Sequence, residues 1–336
     1  MHIAEINDIA SVASDLGRAL RARGHRVTVI RPRLVGGSLP WTIKPVVGPL
    51  RAIEWADIIQ RLRRDKPDIL HIHYAYLGML GVLGRFPYIL HCHGSDVREM
   101  TPFTKPLVER ALAGALRVYY ATPDLEPYVK ARRPDATFLP NPVNAEAFAP
   151  VRASSEAKGV YICCSLTDIK GGRRLYRACE ILAKSRPDIR ITALGRGDYA
   201  SAFAKLPNVR LIPFQLRSAL PALINEHAVI VGQMFLGALG MAELEAMACA
   251  RPLVAWYRNT DAYPAPPPLW RAVDGVDIAN AITRLNDDPA SRDQLGADAR
   301  TWVQKQHGMD AAAERVEAAG IAALAEWRAR PAREAS

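Results

Sequence analysis

A single stretch, Ala228–Trp256, limits the folds open to this chain more than any other. It begins with an apolar run, Ala228–Gly232, continues through a segment that holds Gly237 and Gly240, and contains helix-forming residues throughout Met241–Cys249. The stretch ends with a second apolar run, Pro252–Trp256. This order predicts a βαβ unit with two parallel strands. In an open parallel sheet, the turn after the first strand lies where ligands bind, and the N–H groups of the next helix attract an anion there.

The two glycines favour a bound phosphate at this turn. Because glycine lacks a Cβ atom, a phosphate can approach the backbone closely at Gly237 and Gly240. Glu245, which lies within the helix, can accept hydrogen bonds from sugar hydroxyls. Short glycine spacings are common, and a tight turn without a ligand stays as the alternative.

Apolar runs and amphipathic stretches alternate along the rest of the chain as well. The predicted strands of the first half are His2–Ile6, His25–Ile30, Asp68–Tyr74, Tyr88–Cys92 and Val118–Ala121. Those of the second half are Val160–Ser165, Ile189–Leu194, Val209–Pro213, Ala228–Gly232 and Pro252–Trp256. Helices between the strands imply parallel pairing, so each half is predicted to be an α/β, doubly wound parallel sheet, with a cleft between the halves. Loops are predicted at Pro32–Pro49 and Tyr257–Trp270, and the tail Arg328–Ser336 is predicted to fray.

Composition narrows the class of protein and of partner. The chain has 336 residues, enough for about two domains of about 150 residues, and a net charge of +10. This charge favours anionic partners, but scattered basic residues and the lack of a recognition motif argue against nucleic acid. No apolar run is long enough to span a membrane, and the amino terminus has no secretion signal, so a cytoplasmic location is expected. The five cysteines are predicted to be reduced and buried.

Polar residues cluster where two strands of the first half end. His71, His73 and Tyr74 end one strand, and His93 and Asp96 follow the next. The two histidines of each H-x-H pair share one face of a strand. A metal site is one interpretation, but alternation along a strand explains the pairs without a metal, and none is predicted. A neutral His93 would hydrogen-bond a sugar hydroxyl or move a proton.

Lys170 follows the first strand of the second half and precedes a helix. It is therefore predicted to enter the cleft opposite His93 and to neutralise a diphosphate leaving group. A solvated surface lysine is the alternative.

Several segments together resemble the serial motifs of family-4 glycosyltransferases. They are His93–Asp96 (HGSD), Thr122–Val129 (TPDLEPYV), Leu139–Phe148 (LPNPVNAEAF), Lys170–Gly171 (KG) and Leu244–Val254 (LEAMACARPLV). The resemblance implies a GT-B fold of two Rossmann-like domains facing a cleft. It implies an acceptor-side domain at residues 1–150, a donor nucleotide-sugar domain at 151–305, and a terminal helix at 306–330 that returns to the first domain.

The resemblance also implies roles for individual residues. His93 would contact the donor sugar and Lys170 the donor diphosphate, and these two are the predicted catalytic residues. The remaining predicted donor contacts are Glu245 on the ribose, Phe214 and Leu216 near the base, and Gln233, Gly237 and Gly240. The predicted acceptor-side residues are Asn7, His73 and Asp96.

Three departures from the family pattern put the donor contacts in question. Gly237 stands where the family usually has the first glutamate of an E-x7-E pair, and Ser165 and Leu166 lie near the position of an expected arginine. The loop after the first strand also lacks the usual pair of glycines. Arg196 is the predicted substitute cation, and Gln233 fits a branch of the family that lacks the first acid.

These inferences predict a retaining, metal-independent hexosyltransferase that uses a nucleoside-diphosphate sugar and no other cofactor. The expected acceptor is a cell-envelope glycan or lipid-linked glycan, reached at the inner membrane face through a basic apolar patch in Thr101–Arg117. A small soluble acceptor is an alternative. Two further classes of protein stay open: a GT-B epimerase or phosphorylase, and a non-catalytic protein that binds sugar nucleotides.

Overall fold

The computed structural model describes residues 1–33 and 48–329. Most of the predicted loop Pro32–Pro49 and of the predicted tail Arg328–Ser336 lies outside the described residues. The chain divides into an N-terminal unit, Met1–Pro142 with Met309–Ser336, and a C-terminal unit, Val143–Gly308. The first boundary falls before residue 150 because Val143 and Phe148 belong to the core of the C-terminal unit.

Strands and helices alternate along both units. The strands are β1 (His2–Ile6), β2 (Arg26–Ile30), β3 (Ile69–His73), β4 (Tyr88–Cys92), β5 (Arg117–Tyr120), β6 (Thr137–Phe138), β7 (Val160–Ile162), β8 (Ile191–Leu194), β9 (Val209–Ile212), β10 (Val229–Val231), β11 (Leu253–Ala255) and β12 (Trp270–Arg271). The helices are α1 (Val12–Ala22), α2 (Gly48–Asp65), α3 (Met79–Gly84), α4 (Ser95–Arg98), α5 (Lys105–Gly114), α6 (Glu126–Lys130), α7 (Gly172–Ser185), α8 (Ala200–Phe203), α9 (Leu220–Glu226), α10 (Met241–Ala248), α11 (Gly275–Asp287), α12 (Pro289–His307) and α13 (Met309–Ala329).

The N-terminal unit is built on one parallel sheet with the strand order β2-β1-β3-β4-β5-β6. The chain direction across the sheet reverses between β1 and β3, which makes their carboxyl ends a switch point where ligands bind in such sheets. Asn7 follows β1 there, and Tyr74 follows β3.

Two helical layers cover this sheet. Ile3, Ile69 and Ile89 lie on one face and pack against α1 and α13, because alternate residues of a strand point the same way. Residues of the other face, such as Leu70, pack against α2, α3 and α5. Leu20 in α1 is completely buried, so Leu20→Ala would cost about 2–5 kcal/mol of stability.

The C-terminal unit has its own parallel sheet, with the order β12-β11-β10-β7-β8-β9. Its switch point lies between β7 and β10, so the loops that follow these two strands are neighbours. Helices α7 and α11 cover one face, and α9, α10 and α12 cover the other. Asp274 caps α11 by accepting hydrogen bonds from the backbone N–H groups of Val276 and Asp277.

The predicted α/β class with two parallel sheets is confirmed, and the differences are local. The predicted irregular loop Tyr257–Trp270 ends in the short edge strand β12, and α3 was not predicted. All five cysteines are free and buried, as expected. Among the described helices, none has the length and apolar character needed to cross a bilayer.

Candidate active site

Lys170 and Gln233 meet at the switch point of the C-terminal unit. The Nζ atom of Lys170 donates to Oε1 of Gln233 at 3.1 Å, and the carbonyl of Lys170 accepts from the N–H of Met234 at 2.9 Å. Gly171 has a φ of +83°, and a Cβ atom there would lie 2.7 Å from Cβ of Met234. The loops after β7 and β10 therefore pack so closely that only glycine fits between them.

Gln233 is held from three sides. It is 2% exposed, and its Nε2 atom donates to the carbonyl of Ala238 at 2.5 Å. Its backbone N–H donates to Glu243 at 2.9 Å, and Glu243 also accepts from the N–H of Gly240 at 3.0 Å. The carboxylate of Glu243 thus closes the turn that was predicted to hold a phosphate, and it occupies two amides of that turn.

Gly237 adopts a backbone conformation that other residues rarely tolerate. Its φ is +74°, and a Cβ atom would lie 2.6 Å from Cγ of Arg258. The backbone N–H of Arg258 donates to the carbonyl of Gly237 at 3.1 Å, which fixes the two residues together. An exposed arginine therefore occupies the space that a side chain at position 237 would fill.

Glu245 already has a strong partner. Its Oε1 atom accepts from Nε of Arg217 at 2.9 Å, and the glutamate is only 3% exposed. The guanidinium of Arg217 also lies 5.1 Å from the ring centroid of Phe148. A ribose hydroxyl at Glu245 would have to share the carboxylate with Arg217.

The remaining predicted donor residues are exposed to solvent. Phe214 and Leu216 are 72% and 71% exposed, so both are accessible to a nucleobase. Arg196, the predicted substitute cation, is also exposed. Arg174 donates to the carbonyl of Met234 at 2.5 Å.

Four histidines and a glutamate form a polar layer at the carboxyl edge of the N-terminal sheet. Glu5 lies beside His71 in the register of β1 and β3, and His73 lies beside His91 in that of β3 and β4. Glu5 and these three histidines are 0–1% exposed. His93, just after β4, is half-buried and completes the layer.

Hydrogen bonds link this layer in a defined order. Glu5 Oε2 lies 2.8 Å from Nε2 of His73, and Nδ1 of His73 lies 2.9 Å from Nε2 of His93. Glu5 also bonds Nδ1 of His71, at 3.1 Å. Nε2 of His91 donates to the carbonyl of Leu139 at 3.1 Å.

Burial favours the neutral form of three histidines of the layer. It lowers the pKa of His73, and lowers those of His91 and His93 far below the ordinary value, with neighbouring histidines adding to the effect. Burial alone would raise the pKa of Glu5, but the electrostatic interactions and hydrogen bonds that the N–H groups of His71 and His73 make with it bring it down to about 2. Glu5 is therefore ionised at neutral pH.

His71, His73 and His91 place nitrogen atoms within 4.8 Å of one another. Both ring nitrogens of His73 are already hydrogen-bonded, to Glu5 and to His93. A metal ion would have to displace one of these bonds, so the layer as folded is a hydrogen-bonded network.

The predicted acceptor-side residues have different surroundings. Asn7 and Asp96 line a cavity of about 450 Å³ in the N-terminal unit, with Tyr74 and Tyr76. The carboxylate of Asp96 accepts from the N–H groups of Ala75, His93 and Gly94, so it also shapes the loop that carries His93. His73 was predicted to face the acceptor, and this is corrected: its side chain is fully buried behind His93, because its strand face is covered.

Comparison with known proteins identifies the family of this chain. Residues 9–147 match the family described as Glycosyltransferase Family 4, and residues 157–288 match Glycosyl transferases group 1. The chain belongs to glycosyltransferase family 4. A curated relative, the GDP-mannose-dependent monoacylated alpha-(1-6)-phosphatidylinositol monomannoside mannosyltransferase of Corynebacterium glutamicum, is 25% identical over 210 residues. The match covers 54% of this chain and about half, 55%, of that relative.

Solved structures share the fold. Sucrose-phosphate synthase of Thermosynechococcus elongatus has a TM-score of 0.71 at 18% identity, covering 94% of this chain and 97% of that one. The Anabaena protein HepE in complex with UDP-glucose has a TM-score of 0.71 at 13% identity, covering 94% and 98%. These similarities, with the two parallel sheets, establish a two-domain GT-B fold.

Sequence reasoning missed Glu5, Glu243 and Arg258. A glutamate between the apolar residues of Ile3–Ile6 was a usable signal, because a buried carboxylate needs hydrogen-bond donors and a later strand offers H-x-H. No comparable signal marks Arg258, whose contact with Gly237 depends on the path of a loop.

Proposed function

We propose that the protein is a retaining, metal-independent glycosyltransferase that moves a hexose from a nucleoside-diphosphate sugar to a hydroxyl of a cell-envelope glycan or glycolipid. The observation that carries the proposal is the pairing of Lys170 with Gln233 at the switch point of the C-terminal unit of a family-4 chain. A cation held beside a helix N-terminus is suited to a diphosphate.

The proposed reaction depends on placement and charge. Lys170 stabilises the negative charge that develops on the departing diphosphate, and Arg258 adds a second cation beside the turn at Gly237. The leaving β-phosphate accepts the proton of the acceptor hydroxyl, and transfer occurs on the face from which the diphosphate departs. His93 contacts a sugar hydroxyl.

The first donor to test is GDP-mannose, because the Corynebacterium relative is named for its dependence on it. UDP-glucose is the second, since HepE has been solved with it. Phe214 and Leu216 offer an exposed apolar surface for either base.

A lipid-linked acceptor is proposed from the cavity that Asn7 and Asp96 line. Thr101 and Thr104 also line this cavity, and the neighbouring Phe103 is 60% exposed. Arg51 also lines it, and the nearby Leu50 and Ile53 of the same helix are 54% and 66% exposed. Exposed apolar side chains near a cavity lined by an arginine fit a protein that works at the cytoplasmic face of an anionic membrane.

Donor binding is tested first by thermal shift, with GDP-mannose, UDP-glucose and their nucleoside diphosphates. A ligand at 100 times its Kd stabilises the folded state by about 2.7 kcal/mol. A donor that shifts Tm is then incubated with phosphatidylinositol mannosides, with soluble sugars, and alone, and the anomer of the product is determined by NMR. No shift with any donor overturns the proposal.

The same incubations distinguish a transferase from the remaining classes of protein. Release or rearrangement of the sugar without an acceptor indicates a phosphorylase or an epimerase. Donor binding without turnover on any acceptor indicates a non-catalytic protein, an outcome that the lack of a glutamate at position 237 makes worth testing.

Membrane attachment has a separate test. Sedimentation with anionic vesicles should weaken in Lys105→Glu/Arg110→Glu and in Phe103→Ser. Arg117→Glu is the matched control and should bind the vesicles as the wild type does, because Arg117 is already paired with Glu326. Equal binding by all variants would remove the segment Thr101–Arg117 from the membrane proposal.

A further inference from the structure

The hydrogen bonds around Glu5 allow only one arrangement of protons. An ionised carboxylate accepts hydrogen bonds and donates none, so the nitrogen of each histidine that faces it must carry the proton. His73 therefore carries its proton on Nε2, 2.8 Å from Glu5, and His71 carries its proton on Nδ1.

The same reasoning extends to His93. Since neutral His73 has its proton on Nε2, its Nδ1 atom holds a lone pair and can only accept. The atom 2.9 Å away, Nε2 of His93, must donate to it. The proton of neutral His93 is thus on Nε2, and its Nδ1 atom holds a lone pair.

Two unpartnered atoms agree with this assignment. Nε2 of His71 and Nδ1 of His91 are buried without a hydrogen-bond partner among the described residues. His71 donates from Nδ1 to Glu5 and His91 donates from Nε2 to a carbonyl. An N–H on either unpartnered nitrogen would be buried without an acceptor, so we assign a lone pair to both. The network leaves no N–H of these two rings unsatisfied, which would be the costlier outcome.

Nδ1 of His93 is the nitrogen left for a ligand. It makes no hydrogen bond to the described residues, and it is not among the fully buried unpartnered atoms. The loop that carries it is fixed by Asp96, which accepts from the N–H groups of His93 and Gly94.

We infer that Glu5 is a positioning residue that, through His73, holds His93 in the tautomer whose Nδ1 lone pair accepts a hydrogen bond from a ligand hydroxyl. The inference rests on the proposed function only for the identity of that ligand as a sugar. Glu5 touches no substrate; it sets which ring nitrogen of His93 is the acceptor.

The test reads the tautomers directly. Long-range ¹H–¹⁵N NMR spectra of the full chain with ¹⁵N-histidine distinguish a protonated from an unprotonated ring nitrogen, and His93→Asn and His73→Asn assign the signals. At pH 7.5, His73 and His93 should each be a single Nε2–H tautomer. A His93 with its proton on Nδ1 overturns the inference.

Glu5→Gln is the decisive variant. Its amide has one acceptor oxygen for two histidine donors, so His73 and His93 should become tautomer mixtures. His71→Phe is the matched control: it removes the other hydrogen bond to Glu5 and keeps a ring beside His91, and His93 should stay in one tautomer. Unchanged His73 and His93 signals in Glu5→Gln also overturn the inference. If that variant does not fold, Glu5→Met replaces it.

Activity is a second, separate readout. In Glu5→Gln, kcat/KM for a working donor should fall by at least about tenfold, as expected when a histidine loses its fixed tautomer. The loss of kcat/KM in His71→Phe should be smaller than that in Glu5→Gln when the two variants are compared at equal folded fraction. Because the NMR result does not need turnover, an inactive wild-type protein would refute the proposed function and leave the tautomer assignment standing.

Discussion

The side chain of Arg258 lies over the α-carbon of Gly237, so that a Cβ atom at position 237 would come within 2.6 Å of its Cγ atom. Position 237 is where the family resemblance leads one to expect a glutamate. The chain has instead a glycine at φ +74° and an arginine beside it. The departure from the family pattern is therefore a change in both backbone conformation and local charge.

We predict that Gly237→Glu does not raise turnover and lowers stability. A side chain at this φ costs about 1–2 kcal/mol, and the contact with Arg258 adds to that cost. Urea unfolding of Gly237→Ala and Gly24→Ala separates the two effects. Gly24 has a φ of +86°, and apart from its two chain neighbours no atom of the described residues lies within 4 Å of the position of a Cβ there. Equal losses in the two alanine variants would show that Arg258 moves aside freely.

Lys170→Ala should lower kcat by about 10²–10³-fold, because it removes a charge that stabilises the leaving diphosphate. Its urea midpoint should change little, since the side chain is only half-buried. Lys184→Ala, an exposed lysine near the end of α7, is the control and should retain activity. Normal turnover in Lys170→Ala would exclude Lys170 from the mechanism.

Glu245→Ala should weaken nucleotide binding by about 1.5–3 kcal/mol, the usual range for a hydrogen bond to a charged group. Calorimetry with the nucleoside diphosphate measures this directly. Arg217→Leu is the control for the ion pair, since it leaves the carboxylate in place. If both variants bind as the wild type does, Glu245 has a structural role alone.

The order of strands was predictable because the fold depends on short apolar runs separated by amphipathic helices. Strand β4 begins and ends where its apolar run does, at Tyr88 and Cys92. Helix α3 was missed because Gly81 and Gly84 lower helix propensity. They are required by packing: a Cβ atom at Gly81 would lie 2.3 Å from the ring of Tyr88.

The positions of His93 and Lys170 after strands of their own sheets were predictable, and their contacts were not. Residues after parallel strands gather at one edge of a sheet, which was enough to select His93 and Lys170. Which histidine is buried, and which faces a ligand, depends on the helices that cover the strand face. His73 and His93 have the same sequence pattern, but one is fully buried and the other half-buried.

The histidine layer should make the N-terminal unit sensitive to acid. His73, His91 and His93 have lowered pKa values in the folded chain, so the unfolded chain binds more protons below about pH 6.5, and stability falls as the pH drops below that value. Each such histidine contributes up to about 1.4 kcal/mol per pH unit to the slope of the free energy of unfolding against pH. Glu5 acts in the same direction: its folded pKa is about 2, so the stability it gives above pH 4.5 is lost as the pH falls toward 2.

Urea unfolding at pH 7.5, 6.5 and 5.5 measures this slope. The charged groups near the layer that also affect His73 are Glu5 and Asp8, both of which raise its pKa and so reduce its share of the slope. His91→Phe removes one buried proton acceptor, and its stability should therefore fall less steeply between pH 6.5 and 5.5, by up to about 1.4 kcal/mol per pH unit. Two results would mean that the layer takes up protons while folded. One is a stability that rises as the pH drops through this range, and the other is the same dependence of stability on pH in the wild type and in His91→Phe.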